Sequence, residues 1–421
     1  MVNFVSLPPP ILNTFEKKFQ DLFPKKMFVC FLIYSSTLFL EFKRANIATI
    51  DEKNVSSRYQ NLQYFITESN SWDAKELNNR RIQTLQKNRT TKTTQNGVMV
   101  IDDTACSKKW AYKTDGVRPQ YSGSEDAIIR CNVVVCSSYA DTVKRYPLHL
   151  QPYRPSDEFP DGENNTRFKS KIYLARKLIY DALVNGISFS HIVLDTWYFA
   201  AELVNFFDNK NLLWISEADA NRQISYHGKW VRADELVKLI PSTKFNKKVT
   251  LLNTKGEERS SLVYNFITKI KNIPGKVNVC VAIGKWDAND PKGVHIFVTN
   301  DLKIDAKQIV KKYSLRWGIE WMFRDLKENV GFDHYQVRTM RGITRHWYLC
   351  FLAYTFLIWI KLNGYCQRTV DFKPNTMGGQ ILLFRNLNSL ACQHWITHNP
   401  FNFQTYLRTR GLHPLERPAI F

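Results

Sequence analysis

The sequence predicts an α/β protein, with a mixed-sheet core and a β-rich insertion between helical regions at both ends of the chain. Three observations support this class. Apolar residues follow a helical pattern up to a basic linker, short Val- and Ile-rich runs then alternate with helical stretches, and helical patterns return near the carboxyl end. The chain has 421 residues, of which 44% are hydrophobic and 14% aromatic, so it can build a large core and is not a disordered chain.

Residues 1–85 form the predicted amino-terminal helical region, and residues 86–97 form a basic, Thr-rich linker. The predicted helices cover Asn13–Phe23, Lys26–Arg44, Ser57–Glu68 and Asp73–Leu85. Two apolar runs, Met27–Phe42 and Trp347–Ile360, are shorter than the roughly 20 residues that a membrane span requires. We expect both runs to be buried helices.

Residues 98–217 form the first part of the predicted core. Strands are expected at Val98–Ile101, Ile128–Tyr139, Tyr146–Tyr153, His191–Leu194 and Leu212–Ile215, with helices at Thr166–Val184 and Tyr198–Phe207. Strands and helices in this order are typical of one mixed sheet covered by helices.

Residues 218–302 form the predicted β-rich insertion, in which polar, Lys-rich loops separate short strands. These strands are expected at Val249–Leu252, Ser261–Phe266, Val277–Trp286 and Val294–Thr299. Residues 303–345 then contain the last helix of the core, which is expected to begin after an N-cap at Asp305 and to run to about Asn329. Residues 346–421 form the carboxyl-terminal helical region.

The charge of the chain predicts a polyanionic partner. There are 59 Lys and Arg residues against 38 Asp and Glu residues, which gives a formal net charge of +21. Nucleic acid and an anionic membrane surface both satisfy such a charge. The charge is spread along the chain, which favours an extended groove over a basic tail. None of the eight cysteines forms a CxxC motif, so a reduced cytoplasm is expected and a zinc finger is not.

Three carboxylates stand at informative positions. Asp102, with Asp103 beside it, follows the first strand of the core, Asp195 follows the fourth, and Glu320 lies in the helix after the insertion. Acids at strand ends project from one edge of a sheet, where a covering helix can add a third. Such an all-oxygen cluster suits Mg²⁺ or Mn²⁺, and a pair of ions suits phosphodiester chemistry. The alternative for each single Asp is an ordinary turn residue.

The helix that carries Glu320 is the most distinctive feature of the sequence. Tyr313, Arg316, Glu320 and Lys327 are spaced by three, four and seven residues, which places them within an arc of roughly 60° on a continuous helix. Apolar residues flank this polar stripe, so it is expected to face a polar cleft. The alternative is a solvent-exposed Arg–Glu salt bridge.

The spacing Tyr-x2-Arg-x3-Glu-x6-Lys, preceded by the two Asp motifs, resembles the YREK signature of bacterial insertion-sequence DDE transposases. The resemblance covers about residues 57–360. It implies an RNase H-like core that cleaves phosphodiesters at the transposon ends and joins the freed 3′-hydroxyls to target DNA. It also implies the role of each residue: Asp102, Asp195 and Glu320 hold two Mg²⁺ ions (Mn²⁺ is an alternative), and Tyr313, Arg316 and Lys327 bind DNA. The ligand of the first motif is either Asp102 or Asp103, and Asp102 is preferred because members of the family resemble Asp-x-Thr here.

Further expectations follow from the same resemblance. Residues 1–85 would bind the terminal inverted repeats, two copies of the chain would pair in a synaptic complex, and the protein would act in the bacterial cytoplasm at the nucleoid. Trp286 in the insertion, with Trp230 second, would stack on a base flipped out of the DNA. A tryptophan packed on the sheet is the alternative for Trp286.

Two other functions remain open at this point. One is an RNase H-like nuclease that cuts without joining, and the other is an inactive DNA-binding protein derived from a transposase. The presence of all three acids argues against the inactive protein. A membrane-surface protein is disfavoured because the chain has no basic amphipathic face with lipid-facing aromatic residues.

Overall fold

The computed structural model of the chain describes residues 14–40, 45–52, 58–123, 125–252, 258–285, 292–364 and 376–398. It confirms the mixed α/β class, with one large mixed sheet and helices toward both ends of the chain. The described residues form two compact units. The helical unit holds the residues up to Thr91, Cys106–Val117 and those from Phe323 onward, and the sheet unit holds Lys92–Ala105 and Arg118–Met322.

The large sheet has ten strands in the described part of the chain. They are β1 (Val98–Ser107), β2 (Arg118–Ser122), β3 (Ala127–Ala140), β4 (Arg145–Tyr153), β5 (His191–Leu194), β6 (Trp214–Glu217), β9 (Lys247–Leu252), β10 (Glu258–Thr268), β11 (Val277–Lys285) and β12 (Lys292–Thr299), while β7 (Gln223–Tyr226) and β8 (Lys229–Arg232) form a separate hairpin. The strand order is β2-β3-β1-β5-β6-β12-β11-β10-β9, and β4 pairs with β3.

Parallel pairing in the centre of the sheet sets the position of the acids. Val98–Ile101 of β1 lies beside His191–Leu194 of β5, and β5 pairs in parallel with β6. All four residues of each paired segment are buried, which is typical of strands covered on both faces. The carboxyl ends of these segments therefore meet at one edge of the sheet.

β1 is longer than the sequence indicates. The predicted strand ended at Ile101, but β1 continues to Ser107, so Asp102 lies within a strand and not after it. The prediction that a strand ends immediately before Asp195 is confirmed. Because the parallel pairing ends at Ile101 and Leu194, Asp102 and Asp195 are still the next residues at the same edge.

The strands of the predicted β-rich insertion belong to the same sheet as those of the predicted core. Antiparallel strands are present at the four predicted places, and β12 pairs antiparallel with the core strand β6. The sequence did not predict the hairpin of β7 and β8 or the short helix that follows it. Since β12 returns the chain to β6, the next helices begin beside the core.

The sheet unit contains four α-helices and the first six residues of a fifth within the described residues. They are α5 (Lys171–Val184), α6 (Ala201–Asn209), α7 (Ala233–Leu239), α8 (Ala306–Ser314) and α9 (Trp317–Val330), of which α9 ends in residues of the helical unit. Ser170 and Asp305 cap α5 and α8 by accepting backbone N–H groups, so the predicted cap at Asp305 is confirmed. The prediction of one helix from Asp305 to about Asn329 is wrong, because a turn at Leu315–Arg316 separates α8 from α9. Backbone bonds that span only three residues tighten the chain at this turn.

The helical unit is built around a long apolar helix. Its elements are a 3₁₀ helix (Lys17–Leu22), α1 (Lys25–Leu40), α2 (Ile47–Glu52), α3 (Tyr59–Thr67), α4 (Ala74–Gln86), α10 (Met340–Leu362) and α11 (Met377–His398). α10 packs against α1, α3 and α4. The described parts of both apolar runs are largely buried in α1 and α10, as predicted. None of the helices in the described ranges is long and apolar enough to cross a bilayer.

Glu16 is a buried acid in the helical unit. It is 1% exposed, and the hydroxyl of Ser35 donates a hydrogen bond of 2.5 Å to its Oε1. Burial raises the pKa of Glu16 from 4.5 to about 8, although the Ser35 hydrogen bond acts in the opposite direction. The folded protein therefore retains a proton that the unfolded chain releases between these two pKa values.

This proton makes the stability depend on pH. Between pH 5 and pH 7.5 the wild type should lose free energy of unfolding as pH rises, by about 1.4 kcal/mol per pH unit from this group. Glu16→Gln should remove that loss, as measured by urea unfolding at both pH values. The exposed Glu68, changed to Gln, is the matched control and should leave the wild-type pH dependence in place. Parallel pH profiles for wild type and Glu16→Gln would contradict the assignment.

Gly97 lies where β1 begins, under the ring of Tyr139. A Cβ atom at Gly97 would collide with that ring, which is buried and held through its hydroxyl by Thr94 and Asp141. Gly97→Ala should destabilise the protein by about 1–3 kcal/mol, the usual cost of overpacking. A Cβ at Gly123 meets no atom within 4 Å, so Gly123→Ala should change stability by less than about 0.5 kcal/mol. Equal urea midpoints for the two variants would show that Tyr139 moves aside freely.

Candidate active site

Three acids from separate elements form one electrostatic cluster in the sheet unit. Asp102 lies in β1, Asp195 follows β5, and Glu320 lies in the first turn of α9. The negative charge of Asp195 raises the pKa of both other acids. Arg316 joins the cluster, with Nη2 2.8 Å from Oε1 of Glu320 and Nη1 3.7 Å from Oδ2 of Asp102. The structure thus brings together the three residues that the sequence singled out.

Asp102 is the most perturbed of these acids. Its side chain is 16% exposed. Burial is the largest cause that raises its pKa well above the usual value, and the charges of Asp195 and Asp103 add to it. Arg316 acts in the opposite direction without reversing the shift. A carboxylate in this environment gains strongly from any additional positive charge nearby.

Asp195 also has the turn role that the sequence left open. Its Oδ1 accepts the backbone N–H groups of Trp197 and Tyr198, at 3.0 and 3.2 Å. Burial nevertheless raises its pKa, against the lowering effect of these hydrogen bonds and of Arg316. The turn fixes one oxygen of the carboxylate, which orients the group at the sheet edge.

Asp103 and Asp102 have different surroundings. The hydroxyl of Tyr198 donates to Oδ1 of Asp103, and the ammonium of Lys171 lies near its Oδ2, both at 2.8 Å. Both oxygens of Asp103 therefore have strong partners within the protein, whereas Asp102 faces Arg316 and other acids. This difference supports Asp102 over Asp103 as the candidate ligand.

Tyr313 and Arg316 do not lie on one continuous helix with Glu320, because the turn at Leu315–Arg316 interrupts the helix. Tyr313 is buried at the end of α8, and its hydroxyl donates to Oε2 of Glu217 at 3.2 Å. Arg316 lies in the turn itself, with a side chain that is 11% exposed. Two of the predicted DNA-binding residues are thus engaged with protein groups in this structure.

Lys327, the third residue of that prediction, lies two turns beyond Glu320 on α9 and is half-buried. Trp286 lies outside the described residues. Trp230 is 52% exposed on β8.

The sequence reasoning missed several groups beside the acids. Lys171 and Tyr198 hold Asp103, and no local pattern marks them because they contact it only in the folded chain. Glu217 contacts Nδ1 of His295 at 2.7 Å as well as Tyr313, and the hydrogen bond to Glu217 raises the pKa of His295. Glu217 ends β6, so the strand-end argument could have found it.

Two exposed tryptophans adjoin the acids and were also missed as site residues. Trp197 is 54% exposed, with the ammonium of Lys171 5.1 Å from its ring centroid. Trp317 is 49% exposed, with the guanidinium of Arg316 4.9 Å from its ring centroid. Exposed rings beside cations are suited to contacts with nucleotides.

The donor set at this edge suits a hard divalent cation. All three candidate ligands are carboxylates, and the pKa of each is raised, so positive charge is in deficit there. Among the described residues, no three His, Cys, Asp or Glu side chains are positioned as a ready-made metal site. The guanidinium of Arg316 lies between Asp102 and Glu320 in this state.

Comparisons with known proteins give two family models that match the chain. A family model described as "DDE superfamily endonuclease" matches residues 18–233, just over half of the chain, and one described as "Transposase DDE domain" matches residues 175–356. No curated protein sequence matches the chain. Among solved structures, the cryo-EM structure of the piggyBac transposase synaptic complex with hairpin DNA is similar at a TM-score of 0.45 and 10% identity, covering 94% of this chain and 78% of that chain.

The two neighbouring acids can be distinguished by stability measurements. In EDTA at pH 7, Asp102→Asn should stabilise the fold, because it removes a charge that the site disfavours. Asp103→Asn should destabilise it by about 1.5–3 kcal/mol, because it removes a charged partner from Lys171 and Tyr198. Adding millimolar MgCl₂ should then raise the stability of wild type but not of Asp102→Asn. Urea unfolding of the wild type and both variants, each in EDTA and in MgCl₂, gives these values, and a Mg²⁺ effect lost in Asp103→Asn alone would reverse the assignment.

Proposed function

The chain belongs to the DDE superfamily endonuclease family, and we propose that it is a DNA transposase that cuts and joins phosphodiesters. The observation that carries the proposal is the cluster of Asp102, Asp195 and Glu320, supplied by three elements and bridged by Arg316. In the RNase H-like core that we propose, these acids lie at one sheet edge, where carboxylate oxygens suit a hard divalent cation. The YREK spacing supports a finer identity, a transposase of a bacterial insertion sequence.

In this proposal Asp102, Asp195 and Glu320 hold two Mg²⁺ ions, or Mn²⁺ in their place. When bound, such ions activate a water or a 3′-hydroxyl and stabilise the leaving oxygen of the phosphodiester. Asp195 contributes an oxygen oriented by its turn, and Asp103, tied to Tyr198 and Lys171, keeps the adjacent part of β1 in place. The chain needs no nucleophile of its own, because an in-line attack by the hydroxyl suffices.

Arg316, Tyr313 and Lys327 bind the phosphates of the DNA ends in the proposed complex. Arg316 is suited to a phosphate because its planar guanidinium can donate two parallel hydrogen bonds. Tyr313 holds Glu217 in the present structure, so its proposed DNA contact requires it to exchange this partner. Trp286, with Trp230 second, remains the proposed residue for stacking on a flipped base.

The proposed substrates are the terminal inverted repeats of the element and a target DNA. The helical region of residues 1–85 binds the repeats, and two copies of the chain pair in the synaptic complex. The net charge of +21 supports contact with a long stretch of duplex. The proposed place of action is the bacterial cytoplasm, at the nucleoid.

A cleavage and joining assay tests the function. The substrate is DNA with the repeats that flank the gene, together with a target plasmid. Wild type should cut and join only with Mg²⁺. Asp195→Ala and Glu320→Ala should still bind the DNA but should lose more than about 100-fold in activity. Loss of a residue that only supports a metal ligand costs about 10–100-fold, and loss of a ligand itself should cost more.

The matched control is Glu235→Ala, which removes an exposed acid from α7 of the same unit and should keep full activity. Cutting without joined products would instead identify a nuclease. Binding without any cutting by the wild type would identify an inactive DNA-binding protein, and equal activity of the acid variants would disprove the three-acid site.

A further inference from the structure

The loop Lys108–Val117, which follows β1 in the helical unit, carries an unusual exposed surface. Trp110 is 77% exposed and Tyr112 is 68% exposed. The loop contains three lysines and one acid, Asp115. Two large aromatic side chains this exposed, two residues apart on one loop and flanked by lysines, suit a recognition site.

The loop is fixed at two points, so the exposure of Trp110 is a property of a held conformation. The ammonium of Lys108 donates to the carbonyls of Asp333 and Tyr335, at 2.5 and 2.8 Å, and lies 3.7 Å from the ring centroid of Tyr335. Asp115 donates its backbone N–H to the carbonyl of Arg338 at 2.9 Å. Trp110 lies between these two anchor points and is presented outward.

The charge of the presented surface is positive. Lys109 and Lys113 are exposed, and the ammonium of Lys109 lies 5.2 Å from the ring centroid of Trp110. Asp115 directs its carboxylate to the backbone N–H of Met340, at 2.9 Å, so its oxygen already serves the anchor. An aromatic face with flanking cations is complementary to a ligand that has both a flat ring and a negative backbone, which describes a nucleic acid strand.

We propose that the loop Lys108–Val117 binds DNA at an unpaired base, on which Trp110 stacks while Lys109 and Lys113 contact the flanking phosphates. The inference rests on the proposed function, which supplies DNA as the ligand. It assigns the loop a DNA contact that the three acids do not make. A base within a duplex already stacks on its neighbours and has no free face for the ring of Trp110. Trp110 should therefore favour DNA with an unpaired base. The lysines act on any phosphate and give no such preference.

Fluorescence anisotropy with the full-length protein tests this contact. The probes are a labelled duplex and the same duplex with one extra, unpaired base, each at several salt concentrations. Wild type should bind the bulged DNA more tightly. Trp110→Ala should lose about tenfold in affinity for it, which corresponds to about 1.4 kcal/mol, and little for the duplex. Trp110→Tyr should keep most of the preference because it keeps a stacking ring.

The lysine variants give a different result. Lys109→Gln and Lys113→Gln should weaken binding to both probes alike. Each should also reduce the slope of log affinity against log salt concentration by about one. Tyr180→Ala removes another exposed aromatic ring, 57% exposed on α5, and should leave both affinities unchanged.

The outcomes separate this inference from the proposed function. If wild type cuts DNA but Trp110→Ala binds the bulged probe as wild type does, the loop assignment is wrong and the transposase proposal stands. If wild type cuts nothing yet prefers bulged DNA through Trp110, the loop assignment stands and the catalytic proposal fails. Vesicles that contain anionic lipid test the alternative of a membrane surface. The inference would be overturned if Trp110 were required for binding to the vesicles and the protein showed no preference for bulged DNA.

Discussion

The concentration of negative charge at one sheet edge is the constraint on which the site depends. The parallel register of β1 and β5 places Asp102 close enough to Asp195 for their charges to interact. Burial increases the repulsion between such acids, because water no longer screens them. Arg316 lies where it offsets this repulsion, and Tyr313, Glu320, Asp102 and Asp195 together keep its pKa above the usual value although burial acts against its charge.

The path of the chain through the insertion places Arg316 and Glu320. β12 pairs antiparallel with β6, and α8 begins after β12 and packs against β6 as well as the strands of the insertion. The turn after α8 then brings the Arg316 side chain to Asp102 and starts α9, whose first turn carries Glu320. The insertion is therefore part of the framework that positions the third acid.

Much of this could be predicted from local patterns. Asp195 after a buried strand, the cap at Asp305 and the strands of the insertion depend on nearby residues, and the structure contains them as expected. The end of β1 could not be predicted, because its later residues are polar in part and their extended form depends on the sheet around them. The turn at Leu315–Arg316 was missed since the apolar pattern continues through it.

The choice between Asp102 and Asp103 shows why the remainder needs the fold. Both are acids at the same point of the sequence, and alternation along a strand only says that they point to opposite faces. What distinguishes them comes from Lys171 and Tyr198, which are 68 and 95 residues away from Asp103 in the chain. No single-sequence pattern contains such a pairing.

Arg316 links the structure to the proposed chemistry. Here its guanidinium serves Glu320 and faces Asp102, and its Nε is buried without a hydrogen-bond partner. The carboxylates of Glu320 and Asp102 compete with a DNA phosphate for the N–H donors of this one guanidinium. If divalent ions neutralise the acids, the attraction that holds Arg316 to them weakens while a DNA phosphate remains attractive to it. Under the proposed function, metal binding and DNA-end binding would therefore favour each other through this one side chain.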